Sequence, residues 1–241
     1  MDWNKAKTVL IIAFTALNIF LGTQLFQSWS EQARMADVTE TSQQELEQLL
    51  HEKKISLETQ LPHDRPTVSF LEAEITSPGD GWVQNDDGSY SLILSSPIPI
   101  KKDIDLFLQE KIPHFNEFVL IKDTSSKRIY AQYWKGHPLF DGKLEVEVKG
   151  DKIISLQMTH FSIQSNEAAL RPVSARTALI SLIESELLDK ETKITDCQLG
   201  YYGQSYEAEV RVLAPVWRFT ANGKTFDVNA LTGGVRFVTN Q

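Results

Sequence analysis

Residues 143–158 read KLEVEVKGDKIISLQM. Leu144, Val146 and Val148 alternate with Lys143, Glu145 and Glu147, and after Gly150-Asp151 apolar residues resume at Ile153, Ile154, Leu156 and Met158. A period of two marks a half-buried strand, and two such runs about a Gly-Asp turn make a hairpin. The hairpin makes antiparallel sheet the scaffold, and the flanking sequence extends it. Phe118 to Ile121, Arg128 to Trp134, Leu139 to Val148 and Lys152 to Phe161 are strand-like, separated by KDTSSK, KGHP and KGD. Four strands in series predict a meander.

A helix precedes this meander. Ile104, Phe107, Leu108 and Ile112 recur at spacings of three and four, Asp103 stands at the cap position, and Pro113 stops the run. The same order follows it. Pro172-Val173-Ser174 opens a helix whose stripe, Ala178, Leu179, Leu182, Ile183 and Leu187, runs to about Leu188. Strands then follow at Ile194 to Tyr202, Tyr206 to Val212, Val216 to Ala221, Lys224 to Asn229 and Val235 to Thr239, with Asn222-Gly223 as a two-residue hairpin turn. Helix-then-meander thus occurs twice. The stretches WKGHPLFDGKLEVEV and WRFTANGKTFDVNALTG both run Trp, polar turn, Gly, Lys, strand. The predicted class is α+β, with two helix-plus-antiparallel-sheet units at residues 42–165 and 166–241.

Ahead of the first unit's sheet, Ser42 and Glu45 form a capping box for a helix to Lys53 with Leu46, Leu49 and Leu50 on one face. Val68 to Ile75 reads as a strand. SPGDGW and NDDGS flank a hairpin around Trp82-Val83 and Tyr90 to Leu94, which Pro97 and Pro99 are expected to end.

At the other end of the chain, Thr8 to Phe26 reads TVLIIAFTALNIFLGTQLF, without a charge. A helix of that length spans roughly 28 Å, close to the bilayer hydrocarbon thickness. Lys5 and Lys7 precede it, and no Lys or Arg follows before Arg34. The positive-inside rule predicts a single-pass membrane anchor at 8–26, a cytoplasmic stub at 1–7, a juxtamembrane linker at 27–41 and an extracytoplasmic remainder. A cleaved signal peptide is the competing reading, but the apolar core runs past Phe20 and no A-x-A-like site follows closely, since Ala33-Arg34-Met35 fails at its third position. Thr15, Asn18 and Gly22 share one face of this helix. Small residues let helices approach in lipid, and an Asn can hydrogen-bond across, so this face is a candidate partner-docking surface; the alternative is a lipid-facing stripe.

Composition limits the chemistry. Setting aside Lys5, Lys7 and Asp2 from 24 basic and 32 acidic residues leaves the outer part with a net charge of about −9. That argues against nucleic-acid binding and against attraction to anionic headgroups. Cys197 is the only cysteine, which excludes an intramolecular disulfide and a cysteine metal site. Disulfide-free extracytoplasmic protein suits a Gram-positive outer face.

A search for a reaction centre finds none. No two of His51, His63, His114, His137 and His160 have zinc-helix spacing, leaving only a metal site assembled from residues distant in sequence. Gly203-Gln204-Ser205-Tyr206-Glu207 fails the nucleophile-elbow pattern, and there is no P-loop or dinucleotide fingerprint, so no cofactor is expected. Asp86-Asp87 reads as a turn rather than a calcium loop, Glu145 and Glu147 as a solvated strand face, and Cys197 as a packed strand residue. Trp134, Trp217, Tyr201 and Tyr202 could line a glycan or peptide groove, with sheet packing as the alternative.

Three stretches carry a resemblance. They are the start, Met1-Asp2-Trp3 with Lys5, Lys7 and the apolar helix; Tyr133-Trp134-Lys135-Gly136-His137-Pro138-Leu139-Phe140-Asp141-Gly142; and Leu213-Ala214-Pro215-Val216-Trp217-Arg218-Phe219 with Phe226-Asp227-Val228-Asn229-Ala230-Leu231-Thr232-Gly233. Leu199-Gly200-Tyr201-Tyr202 fits as well. In this order, over essentially the whole chain, they resemble the YycI family, membrane-anchored regulators of the WalK/WalR two-component system. Phe226-Asp227 departs from the family's Tyr-rich strand at that place. The resemblance implies PepSY-like outer units, no enzymatic activity, and partnership with the sensor histidine kinase WalK and a YycH-like protein in tuning cell-wall metabolism. A different class, an anchored module binding a wall fragment or peptide through the aromatics, is the alternative.

Overall fold

The computed structural model of the chain describes Phe14 and residues 41–99, 104–165, 168–203 and 210–238. The expected anchor, apart from Phe14, and the face formed by Thr15, Asn18 and Gly22 lie outside the described residues. Among the described residues no helix is long and apolar enough to cross a membrane.

The architecture is mixed α/β and mostly sheet. In chain order it runs α1 (Thr41–Lys53), β1 (Ser56–Leu57), β2 (Leu71–Ile75), β3 (Val83–Gln84), β4 (Tyr90–Pro99) and α2 (Ile104–Lys111). Next come a 3-10 turn (Phe115–Glu117), β5 (Phe118–Asp123), β6 (Lys127–Trp134), β7 (His137–Lys149), β8 (Lys152–Thr159) and β9 (Phe161–Ser165). The chain closes with α3 (Ala175–Glu184), β10 (Lys193–Tyr202), β11 (Val210–Ala221), β12 (Lys224–Asn229) and β13 (Val235–Val238).

The 143–158 hairpin forms as its alternation predicts. Leu144 faces Met158 and Val146 faces Leu156 across β7 and β8, and Gly150 takes the positive φ of 60° that the turn requires. Leu144 and Val146 are fully buried. Around this pair the strand order is β13-β12-β11-β10-β7-β8-β4-β3, with β5 and β6 on the other side of β7. Strands β10 and β7 meet in parallel at Tyr201 and Leu139, which joins the two meanders.

Each meander carries a helix. On one, α2 buries Ile104 and Leu108 against Tyr130, Leu144, Val146 and Met158. On the other, α3 buries Ala178, Leu179, Leu182 and Ile183 against Leu199, Trp217, Phe219 and Val228. Helix α1 adds Leu46 to this second cluster, packing on α3. Leu71, Ala73, Leu139, Phe161, Tyr201 and Leu213 form a third cluster between them.

Four sequence expectations are corrected. Strand β4 continues through Pro97 to Pro99, with an irregular register against β8 between Ile93 and Ile98. Its other edge is covered by β3 only at Tyr90 and Ser91, so the missing proline N–H costs no ladder bond there. Strand β11 likewise runs unbroken through Pro215, because β12 has already ended, with Asn229 opposite Val216. The expected strand to Phe161 splits at His160, after which β9 leaves β7 and pairs with β2. Helix α3 stops at Glu184 rather than near Leu188: the Ser185 hydroxyl donates to the Leu182 carbonyl at 2.7 Å, and Glu186 turns left-handed at φ 58°.

Candidate functional site

Proline Pro113 stops α2, and His114 then takes a left-handed conformation, φ 58° and ψ 22°, which starts the 3-10 turn. The Glu117 N–H returns to the His114 carbonyl at 2.9 Å, so the two side chains share one side of the turn. His160, at the break between β8 and β9, comes to the same place from 43 residues further on. A cleft of about 490 Å³ opens here, lined among others by Thr76, His114, Glu117, Trp134 and His160.

His160 is the buried centre of this group, 4% exposed. Its Nε2 lies 3.0 Å from Glu117 Oε2, and its Nδ1 lies 2.6 Å from the Thr76 hydroxyl. A carboxylate only accepts, so Nε2 carries the proton and Thr76 donates to Nδ1. Burial holds the imidazole below its usual pKa, against the opposing pull of Glu117. The ring of His114 stacks on it, centroids 4.8 Å apart. His114 Nδ1 lies 3.5 Å from Glu117 Oε1. Behind the carboxylate, buried Gln132 donates through Nε2 to Glu117 Oε2 at 2.9 Å and to the Phe161 carbonyl at 2.8 Å, and accepts from the Phe161 N–H at 2.9 Å.

Hydroxyl, imidazole and carboxylate stand in the order of a nucleophile triad. The amide beside the hydroxyl is committed elsewhere, however: Thr76 N–H donates to the His160 carbonyl at 3.0 Å and cannot serve as an oxyanion donor. The arrangement holds a neutral imidazole and an oriented carboxylate at a cleft, which suits ligation better than acyl transfer. Sequence spacing could not reveal it, since only His114 and Glu117 are near neighbours and neither sits on a regular helix.

A second polar group lies on the β10–β13 face opposite α3. Asp227, 2% exposed, is held by Arg218 through two bonds of 2.7 and 2.8 Å and by Arg236 at 2.5 Å. Arg218 lies 3.7 Å over the Phe140 ring, and Arg236 lies 3.5 Å over Tyr202. Nearby Asp141 is pushed up to about 6 by burial, although Arg218, Arg211 and Arg236 pull the other way. Both Asp227 oxygens are taken, so this cluster reads as a clamp rather than an open site.

The middle and C-terminal signature stretches meet at this clamp and at the β7–β10 junction. Gly200 lies where any Cβ would stand 2.6 Å from the Pro138 carbonyl oxygen and 2.7 Å from the Phe140 ring. Gly142 is pressed against Gln132 in the same way, at 2.7 Å from Oε1. Trp134 sits edge-on to Tyr201, centroids 5.9 Å apart.

Other candidates resolve individually. Trp217 is buried and donates from Nε1 to the Val173 carbonyl at 2.9 Å, and Tyr201 is buried, so neither lines a groove; Trp134 does face the cleft. The Asp86-Asp87 stretch is a turn: the Ser89 hydroxyl and N–H donate to Asp87 at 2.6 and 2.8 Å, holding its carboxyl below the usual range. Cys197 is buried, and burial pushes its thiol up to about 12. Glu145 is not freely solvated, because Lys127 and Lys143 both bind it and outweigh the opposing effect of burial on its pKa. Glu147 is exposed and accepts from Ser155.

Three solved structures align with parts of the chain. An uncharacterized protein from Eubacterium rectale ATCC 33656 matches with TM-score 0.43 and 9% identity, over 76% of this chain and 86% of that one. YycH from Bacillus subtilis matches with TM-score 0.42 and 15% identity, over 68% of this chain and 52% of that one. The C-terminal domain of Bacillus megaterium YpeB matches with TM-score 0.35 and 15% identity, over 70% and 90%. No curated protein matches the sequence. The family model described as YycI protein matches residues 33–231, most of the chain, which therefore belongs to the YycI family.

Proposed function

We propose that the protein is a membrane-anchored accessory regulator of the sensor histidine kinase WalK, acting with a YycH-like partner and without catalysis of its own. The YycI family match over residues 33–231 is the observation that carries this reading. The uncharged stretch Thr8 to Phe26 behind Lys5 and Lys7 supports a single span with the remainder outside. The closed Arg218–Asp227–Arg236 clamp and the committed Thr76 amide fit a non-enzymatic role.

In this reading Thr15, Asn18 and Gly22 face partner helices, and the outer sheet engages partner domains. A contact biases a kinase only through different affinities for its two states. Moving a 1:99 equilibrium to 99:1 takes about 5.5 kcal/mol, whereas one intramembrane Asn supplies roughly 0.6–2 kcal/mol. The outer part must therefore contribute. Cells carrying the full chain, residues 1–30 alone, or residues 27–241 on an unrelated anchor separate the contributions. Kinase co-purification should be strongest with the full chain and weakened by Asn18→Leu. Loss of co-purification from all three forms contradicts the proposal and favours an anchored binding module for wall fragments, for which Trp134 at the cleft is the relevant feature.

A further inference from the structure

We infer that His114, Glu117 and His160 form a binding site for a divalent transition cation of the zinc class, with its remaining coordination position open to the cleft. The ligand atoms of the three side chains all lie within 4.8 Å of one another. The separations of 3.0 Å from His160 Nε2 to Glu117 Oε2 and 3.5 Å from His114 Nδ1 to Glu117 Oε1 run to different carboxylate oxygens, and each is close to the edge of a zinc tetrahedron. That edge is about 3.3 Å for metal–ligand distances of roughly 2.0–2.1 Å. Two imidazoles and one carboxylate, with a vacant fourth position, is a ligand set that zinc accepts.

The surroundings are those a metal ligand needs. A ligating imidazole holds its other nitrogen by a hydrogen bond, and here the Thr76 hydroxyl sits 2.6 Å from His160 Nδ1. Cation binding moves the His160 proton from Nε2 to Nδ1, which then donates to Thr76. Thr76 reverses from donor to acceptor, and its own hydroxyl hydrogen turns to the His160 carbonyl at 3.5 Å. Glu117 is in turn oriented by the Gln132 amide at 2.9 Å. His160 and Gln132 are fixed by burial, whereas the His114 side chain is 61% exposed and has room to tilt out of its stack onto the ion. This inference does not depend on the regulatory reading.

The test is zinc titration of the full-length, tag-free chain in detergent micelles, after stripping with a chelator, followed by calorimetry. The wild type should take up one Zn²⁺ and unfold at a higher temperature with zinc present. His114→Ala and Glu117→Gln should each weaken uptake at least tenfold, Thr76→Val by about tenfold, and the distant His51→Ala not at all. Substituting Co²⁺ should give the intense visible bands of a tetrahedral site, absent in His114→Ala. The His114 side chain lies at the surface, so His114→Ala should unfold with the wild type when metal is absent, which separates lost ligation from lost fold. No saturable uptake, or uptake that His114→Ala and Glu117→Gln leave unchanged, overturns the inference.

Discussion

Asp227 makes a plain residue-scale test. Its carboxylate satisfies two arginines in a nearly water-free position, so Asp227→Asn leaves Arg218 and Arg236 facing a neutral amide. Removing one partner of a buried ion pair costs about 3–5 kcal/mol. Denaturant unfolding should show a loss of that size; a loss below about 1 kcal/mol would mean the clamp is less buried than described. Gly200→Ala places a methyl against the Pro138 carbonyl and should cost about 1–3 kcal/mol through overpacking, read in the same assay. Asp141 gives the pH dependence. Its folded pKa, about 6, lies above the unfolded value of about 3.9. The protonated form is the one the fold favours, so its contribution is complete below the unfolded pKa and is lost as pH rises through 6. Relative to Asp141→Asn, the wild type should gain about 1–2 kcal/mol between pH 7.5 and 4.5, a figure lowered because the side chain is only half-buried. A difference that stays constant with pH contradicts this.

At the scale of elements, the clearest sequence signals were those set by local chemistry. Alternation about Gly150-Asp151 fixed the β7–β8 hairpin, and Asn222-Gly223 adopts the paired positive φ values of 49° and 75° that its sequence demands. Pro172-Val173-Ser174 opens α3 as expected, and Ser174 caps it, its hydroxyl accepting from the Thr177 N–H at 3.0 Å. Ser174→Ala should therefore lower stability by about 1 kcal/mol, and an unchanged melting temperature would remove the cap from the account. The misread boundaries share a cause. Proline ends a strand only where its N–H would be needed: β3 covers β4 only at Tyr90 and Ser91, and β12 pairs with β11 only from Val216 on, although β10 still pairs with Pro215 on the other side. Whether a neighbour is present is a tertiary fact. The docking of α1 on α3, and the meeting of Thr76, His114, Glu117 and His160, are tertiary facts too, since these four residues come from three separate turns and strand ends. The packing of Trp217 was open at the sequence level because an aromatic in a strand serves a core and a groove equally well.

For the whole molecule, the organising feature is a sheet whose two meanders are joined where β7 meets β10, with the clamp on one side of the junction and the histidine cleft near it. Signature residues from the middle and the end of the chain, Phe140 and Gly200 with Arg218 and Asp227, converge there. That joint makes one continuous sheet of the two meanders. The proposed function has this sheet, held at the membrane, tune a kinase. The most direct measurement is the phosphorylated fraction of the response regulator WalR in cells with the intact chain, without it, and with it restored. The account predicts that removal shifts the fraction and restoration returns it. A fraction that does not respond to either change contradicts the account.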